Sequence, residues 1–290
     1  MFEGSMVAIV TPFKNGKLDE KGFKDLIEFQ IKGGTSAIVP CGTTGESATL
    51  SLEEHERIVE LSVQTAAGRV PVIAGTGSNN TAEAITLTRH AKGAGVDGVL
   101  LISPYYNKPT QKGIYLHFKA IAQEVDIPIV LYNIASRTGI NIEPETVAEL
   151  AQIKNIVAIK EASGNLSQMA QIVKLCGDNI TLISGDDALT LPVLSIGGTG
   201  VISVVANIVP AKNAQLIKLF VEGKIEESRK IYYELLPLIK AMFIETNPAP
   251  VKQALGMMGK ILPDIRLPLC PLLAENKEKL KKVLKEHRLI

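Results

Sequence analysis

The chain has 290 residues and a formal net charge of +1, with 31 Lys and Arg against 30 Asp and Glu. That balance excludes a general nucleic-acid binder, whose phosphate contacts demand an excess of cations. Hydrophobic residues at 46%, aromatics at 4% and the absence of Trp describe a globular protein with an aliphatic core.

Taken in order, short apolar runs rich in β-branched residues alternate with longer segments of helical period. The runs start near Met6 (MVAIVTPF), Ser36 (SAIVPCG), Val70 (VPVIAGTG), Gly98 (GVLLISPYY), Pro128 (PIVLYNI), Ile156 (IVAIKEAS), Ile180 (ITLISGDD) and Gly200 (GVISVVANI). Between them, Leu52 to Ala67, Thr81 to Lys92 and Gln111 to Gln123 read as helices. Ser51 and Glu54 form a capping box for the first of these, and Pro144 opens a further helix at a first-turn position. Strands apolar on both faces suit a buried parallel sheet. Eight β-then-α units predict an α/β fold of the (β/α)8 TIM-barrel type. An open doubly wound sheet is the alternative, but the turn after the first strand, TPFKNGKLDE, lacks the glycine fingerprint of that fold. After Val209 the alternation stops. Pro210 to Phe220, Ile225 to Lys240, Pro250 to Met258 and Ala274 to His287 read as helices without strands between them. The expected division is a catalytic barrel over 1–224 and a C-terminal helical region over 225–290.

Other signals set bounds. Cysteines at 41, 176 and 270 are odd in number and lack CxxC spacing, so no disulfide framework is expected and a cytoplasmic location is. The segment Met1 to Phe13 carries Glu3 and no basic stretch, unlike a signal peptide. No apolar run approaches the ~18 residues of a membrane span. The histidines at 55, 90, 117 and 287 have no metal-ligand spacing.

In a barrel, chemistry sits at the C-terminal ends of the strands. There the chain places Gly42-Thr43-Thr44-Gly45, Tyr105-Tyr106, Tyr132-Asn133, Lys160-Glu161 and Gly185-Asp186-Asp187. A lysine in a buried strand is costly unless neutral or paired. If neutral, Lys160 is a nucleophile for a carbonyl, forming a Schiff base. If paired, it belongs to Glu161 or Asp186. Tyr132, on the neighbouring strand, can hand protons to and from such an imine, or be a core residue with a satisfied hydroxyl. The Gly42–Gly45 turn has backbone amides suited to a carboxylate or phosphate and hydroxyls suited to a proton relay. Arg137 offers a fork for a carboxylate, or a rim salt bridge. Cys41 reads as a small buried thiol, and Gly75-Thr76-Gly77 as a tight turn.

The motifs GTTGES at 42–47, PYYNKP at 104–109, YNIASRTG at 132–139, IKEASGN at 159–165, SGDD at 184–187 and GVISV at 200–204 fall in one order. With ETNPAPVKQAL at 245–255 and RLPL at 266–269, they make the chain resemble the dihydrodipicolinate synthase family of pyruvate-dependent class I aldolases over essentially its whole length. The resemblance implies condensation of pyruvate with L-aspartate 4-semialdehyde to 4-hydroxy-tetrahydrodipicolinate, the committed step of lysine synthesis by the diaminopimelate route. It implies Lys160 as the Schiff-base lysine, Tyr132 as proton shuttle, and Thr43 and Tyr106 completing the relay, with Tyr106 acting in a neighbouring subunit. Thr44, Ile202 and Gly185 would contact pyruvate, and Arg137 the carboxylate of the semialdehyde. It further implies no metal or organic cofactor, no nucleic-acid or membrane partner, and a homotetramer built as a dimer of dimers. A lysine inhibitor site would use Ser47, Ala48, His55, Gly77, Asn79, Glu83 and Tyr105, with Leu52 where the family often has histidine. A related lyase acting on N-acetylneuraminate or a 2-keto-3-deoxy sugar acid is the alternative within the superfamily. Ala135 departs from the family's usual proline after the Tyr-Asn-aliphatic run.

Overall fold

The computed structural model describes residues 2–290. Eight parallel strands form the sheet: β1 (Gly4–Ala8), β2 (Ala37–Val39), β3 (Ile73–Gly75), β4 (Gly98–Ile102), β5 (Ile129–Asn133), β6 (Ile156–Glu161), β7 (Thr181–Ser184) and β8 (Gly200–Ser203). Their order around the sheet is β2-β1-β8-β7-β6-β5-β4-β3. A single parallel bridge, Ile38 to Val72, joins β2 back to β3. The Ile38 and Gly75 amides donate to the Pro71 and Pro40 carbonyls beside it. The circuit is therefore a (β/α)8 barrel, as the eight-fold alternation predicts.

Side chains alternate between two cores because strand periodicity is two. Met6, Ala8, Val39, Ile73, Leu100, Val130, Tyr132, Ala158, Ile183 and Ile202 fill the barrel interior, with Phe2 packed against them. Val7, Leu101, Ile129, Leu131, Ile159 and Val201 face the helices. The same alternation decides the fate of β6: Lys160 follows Ala158 inward, and Glu161 follows Ile159 outward. The parallel register then sets Lys160 between Tyr132 on β5 and Ile183 on β7.

The helical layer comprises α1 (Glu20–Lys32), α2 (Leu52–Ala66), α3 (Thr81–Ala94), α4 (Gln111–Glu124), α5 (Pro144–Leu150), α6 (Leu166–Cys176), α7 (Thr190–Ser195) and α8 (Pro210–Val221). The Ser51–Glu54 capping box closes the N-terminus of α2, and Pro144 occupies the first turn of α5. The segment after Val209 opens with α8, which packs on β1 and serves as the eighth barrel helix. Then α9 (Ile225–Ala241) lies along α8, while α10 (Ala249–Met257) and α11 (Ala274–Glu286) pack on each other. Two features escape hydrophobic periodicity because each is only a few residues long. One is a two-stranded ribbon, Phe13–Lys14 with Lys17–Leu18; the other is a single helical turn, Ala135–Thr138.

Candidate active site

Lys160 is 6% exposed inside the barrel mouth. Its Nζ lies 4.1 Å from the centre of the Tyr132 ring. Among the described residues no carboxylate forms an ion pair with it. Glu161 instead turns outward and accepts from Asn133, Gln168 and the Ser163 amide. Asp186 caps the turn that follows it, accepting from the Ala188 amide. Neither carboxylate suggested as a partner takes that role. Burial pushes the Lys160 amine down to about 7, against the pull of Asp187 upward and with a further push from the Arg137 charge. An amine so placed is substantially neutral near pH 7, as a nucleophile for a carbonyl must be.

Gly185 makes the space for this lysine. A Cβ there would stand 2.7 Å from the Ala162 Cβ and 3.1 Å from the Lys160 Cγ and Cε. Asp187 is buried at the end of β7. It accepts from the Ser203 hydroxyl at 2.5 Å and from the Val204 and Val205 amides at 2.9 and 3.0 Å. The end of β8, with Ile202 facing the interior, is thereby fixed against β7. Burial raises the Asp187 carboxyl, while the three hydrogen bonds favour its ionised form.

Tyr132 is 5% exposed. Burial raises its hydroxyl to about 12, with the Arg137 charge and the Thr43 hydroxyl opposing that rise. Thr43 belongs to the turn after β2. Next to it, the buried Thr44 hydroxyl accepts from Asn247 Nδ2 at 3.0 Å. Arg137, on the short helical turn after β5, donates to the Asn247 carbonyl at 3.2 Å. The C-terminal segment thus bridges Thr44 and Arg137. It also locks the loop from below: Lys252 of α10, with no exposed surface, forms an ion pair with Glu46. The Arg266 amide donates to the other Glu46 oxygen at 3.1 Å, and its guanidinium takes Glu54 in a fork at 2.5 and 2.6 Å. Sequence reading missed Lys252 and Arg266 as supports of the site. The available signal was a lysine on a helix whose other residues, PAPVKQAL, are nearly all apolar.

Thr43, Tyr132 and Arg137 line a cleft of about 520 Å³. Ser47, Ala48, His55, Gly77, Glu83 and Tyr105 line the same cleft, as does Leu52. Asn79 stands beside it, donating to the Tyr105 carbonyl at 3.2 Å. His55 is buried, with Nε2 2.8 Å from the Gly75 carbonyl, and burial lowers its pKa. Gly75 admits no side chain, because a Cβ there would collide with the Cys41 carbonyl. Tyr106 is the residue that the chain does not bring to its own site. It is 87% exposed and holds a left-handed backbone, φ 73°, that is uncommon for a bulky residue. Among the described residues no group of three or more His, Cys, Asp or Glu is placed to hold a metal ion. No helix among them is long and apolar enough to cross a membrane.

The model of the dihydrodipicolinate synthetase family matches residues 1–287. The chain belongs to that family. A 4-hydroxy-tetrahydrodipicolinate synthase from Syntrophobacter fumaroxidans is 60% identical over 291 residues, covering 100% of both chains. The crystal structure of dihydrodipicolinate synthase from Aquifex aeolicus superposes with a TM-score of 0.98 at 52% identity, over 99% of each chain. A synthase from Cyanidioschyzon merolae, solved with lysine bound, has a TM-score of 0.97 at 42% identity and covers 100% of this chain and 99% of its own. Membership of the synthase family agrees with the resemblance read from the sequence motifs, and the sugar-acid lyase reading is not favoured.

Proposed function

We propose that this enzyme condenses pyruvate with L-aspartate 4-semialdehyde to give 4-hydroxy-tetrahydrodipicolinate, with Lys160 as its nucleophile. One observation carries the assignment of the lysine: a buried amine with no carboxylate partner, held under the Tyr132 ring at the mouth of the barrel.

The neutral Lys160 amine attacks C2 of pyruvate, and the former carbonyl oxygen leaves as water, giving an imine. The C3–H bond then breaks, its electron pair forming the enamine double bond. Tyr132 carries that proton away through the Thr43 hydroxyl, with Tyr106 of a neighbouring subunit completing the relay. The enamine C3 attacks the aldehyde carbon of the second substrate, whose oxygen takes up a proton to become the 4-hydroxyl. Finally the substrate's own amine attacks C2, the ring closes and Lys160 departs. Thr44, Ile202 and Gly185 hold the pyruvate end. Arg137, already braced by the Asn247 carbonyl, takes the carboxylate of the semialdehyde as a fork. The sequence as written uses no metal or organic cofactor, because the imine itself is the electron sink.

The relay calls for at least a dimer, in which the exposed Tyr106 of one subunit meets Tyr132 of the next, and a homotetramer built as a dimer of such dimers would satisfy it. The three unpaired cysteines suit a cytoplasmic enzyme. Feedback by lysine is a second reading. It is favoured by the continuity of the cleft, which joins Glu83 and His55 to Thr43 and Tyr132. The direct test is a coupled condensation assay with and without millimolar lysine. Turnover with aspartate semialdehyde supports the synthase, and turnover with sugar-acid substrates alone overturns it. Activity indifferent to lysine overturns the feedback reading.

A further inference from the structure

The residue that follows each of the two central side chains is itself buried, polar and unexposed. Asn133 follows Tyr132 and Glu161 follows Lys160, both at 0% exposure. The β5–β6 register pairs Tyr132 with Lys160 and, one step on, Asn133 with Glu161. Inward and outward alternation puts the first pair in the barrel interior and the second among the helices. The outward pair is bonded directly: Asn133 Nδ2 donates to Glu161 Oε2 at 3.0 Å.

The bond sits in a closed network. Asn133 Nδ2 also donates to Asn141 Oδ1 at 2.8 Å, and Asn133 Oδ1 accepts from the Ile142 amide at 3.0 Å. Gln168 Nε2, from α6, donates to Glu161 Oε2 at 2.9 Å and to Asn141 Oδ1 at 3.1 Å. Asn141 Nδ2 returns a bond to Gln168 Oε1 at 2.8 Å. The Ser163 amide takes the remaining Glu161 oxygen at 2.7 Å. No side-chain nitrogen or oxygen of these four residues is left buried without a partner. Among the described residues no cation neutralises Glu161. The carboxylate is held by N–H groups alone, and those come from β5, α6 and its own strand end.

A fully satisfied buried network fixes geometry more firmly than apolar packing does, because every departure leaves a polar group unpaired. Here the geometry it fixes is the relative height of two adjacent strand ends. We propose that Asn133 and Glu161 are the positioning pair of this site: their bond on the outer face sets the distance between the Lys160 amine and the Tyr132 hydroxyl on the inner face. The inference rests on the assignment of Lys160 and Tyr132 under Proposed function. Its action is on the second chemical step. Imine formation needs an accessible amine and a proton for the departing oxygen, which a water molecule can supply. Loss of the C3 proton needs the imine and the Tyr132 relay in register, and a misplacement of about 1 Å in such a relation costs roughly 10²-fold in rate.

The test separates those steps. Borohydride reduction with pyruvate, read by intact mass, reports imine formation. Exchange of the pyruvate methyl protons in D2O, read by NMR without the second substrate, reports C3 proton transfer. For the Asn133→Ala variant we expect full adduct formation, with methyl exchange and kcat both reduced about 10²-fold. Gln168→Met removes one donor from the same carboxylate while leaving both strands intact, and should show the same split at about 10-fold. It keeps the test open if Asn133→Ala does not fold. Glu161→Gln keeps one acceptor oxygen but turns an N–H toward groups that themselves donate, and should show the same split, with the adduct retained and exchange reduced. Unchanged exchange in the folded variants overturns the proposal, as does an equal loss of adduct and exchange, which is the mark of a purely structural role. Absence of an adduct in the parent enzyme instead overturns the assignment of Lys160, so the two failures are distinguishable.

Discussion

Among the described residues two lysines are buried, and their surroundings are opposite. Lys160 lies on a barrel strand with its amine 4.1 Å from the Tyr132 ring and no carboxylate in ion-pair reach. Lys252 lies on α10 with its amine 4.2 Å from the Phe13 ring and paired with Glu46. Burial lowers both amines. For Lys252 the Glu46 carboxylate opposes that effect through charge and hydrogen bond, and the contact ties the C-terminal helix to the loop of Thr43 and Thr44. For Lys160 only the more remote Asp187 opposes it. On the proposed assignment, the difference between a strut and a nucleophile is one carboxylate.

The comparison can be broken in several ways. The largest effect is expected for Lys160→Met. Removing the nucleophile should lower kcat/KM by about 10⁴-fold or more, yet raise thermal stability, because a desolvated amine is replaced by an apolar side chain. The stability gain has a defined pH dependence. With its folded pKa depressed to about 7, Lys160 holds fewer protons folded than unfolded between pH 7 and its ordinary value of 10.5. Its contribution to stability therefore rises with pH across that window, by at most about 1.4 kcal/mol per pH unit. The gain from Lys160→Met should be largest below pH 7 and vanish toward pH 10.5, a trend that thermal melts across the range would check.

Lys252→Met should do the reverse. It strands Glu46 without a cation and should cost about 3–5 kcal/mol of stability in a denaturant titration. The double variant Lys252→Met with Glu46→Leu should recover most of that loss, since replacing both partners of a buried pair is often neutral. A smaller effect follows from making the surroundings of Lys160 resemble those of Lys252. Tyr132→Phe leaves a ring without a hydroxyl, as at Phe13, and should lower kcat about 10²- to 10³-fold while borohydride still traps pyruvate. The smallest is a pH effect on the unmodified enzyme. Activity requires the neutral amine, so kcat/KM should fall as pH falls through about 7.

The fold was legible because its signal is local and repeated. Every barrel strand from Met6 to Gly200 announces itself by a β-branched run. In the folded strand the alternation of Ala158, Ile159, Lys160 and Glu161 turns Lys160 to the interior and Glu161 to the helices, but with both faces apolar the sequence does not say which face is which. The placement of candidate residues was legible where they lie at strand ends, as Lys160 and Tyr132 do, or in the turns just after them, as Thr43 and Arg137 do. Its supports were not. Glu46 and Lys252 are separated by 206 positions, and Asn247 reaches Thr44 across 203; no periodicity links such residues. The same limit left Glu161 available as a partner for Lys160, when its true partners come from Asn133 and from Gln168 on the following helix. Tyr106 is legible as a motif residue but sits outside the cleft, because the loop after β4 turns it to the surface.

Only one of the two buried lysines is expected to react with a keto acid. Incubation with pyruvate and borohydride, followed by proteolysis and peptide mass mapping, decides it. A single adduct on the peptide containing Lys160, with the peptide containing Lys252 unmodified, is the expected result. An adduct on Lys252, or none on Lys160, would contradict the account.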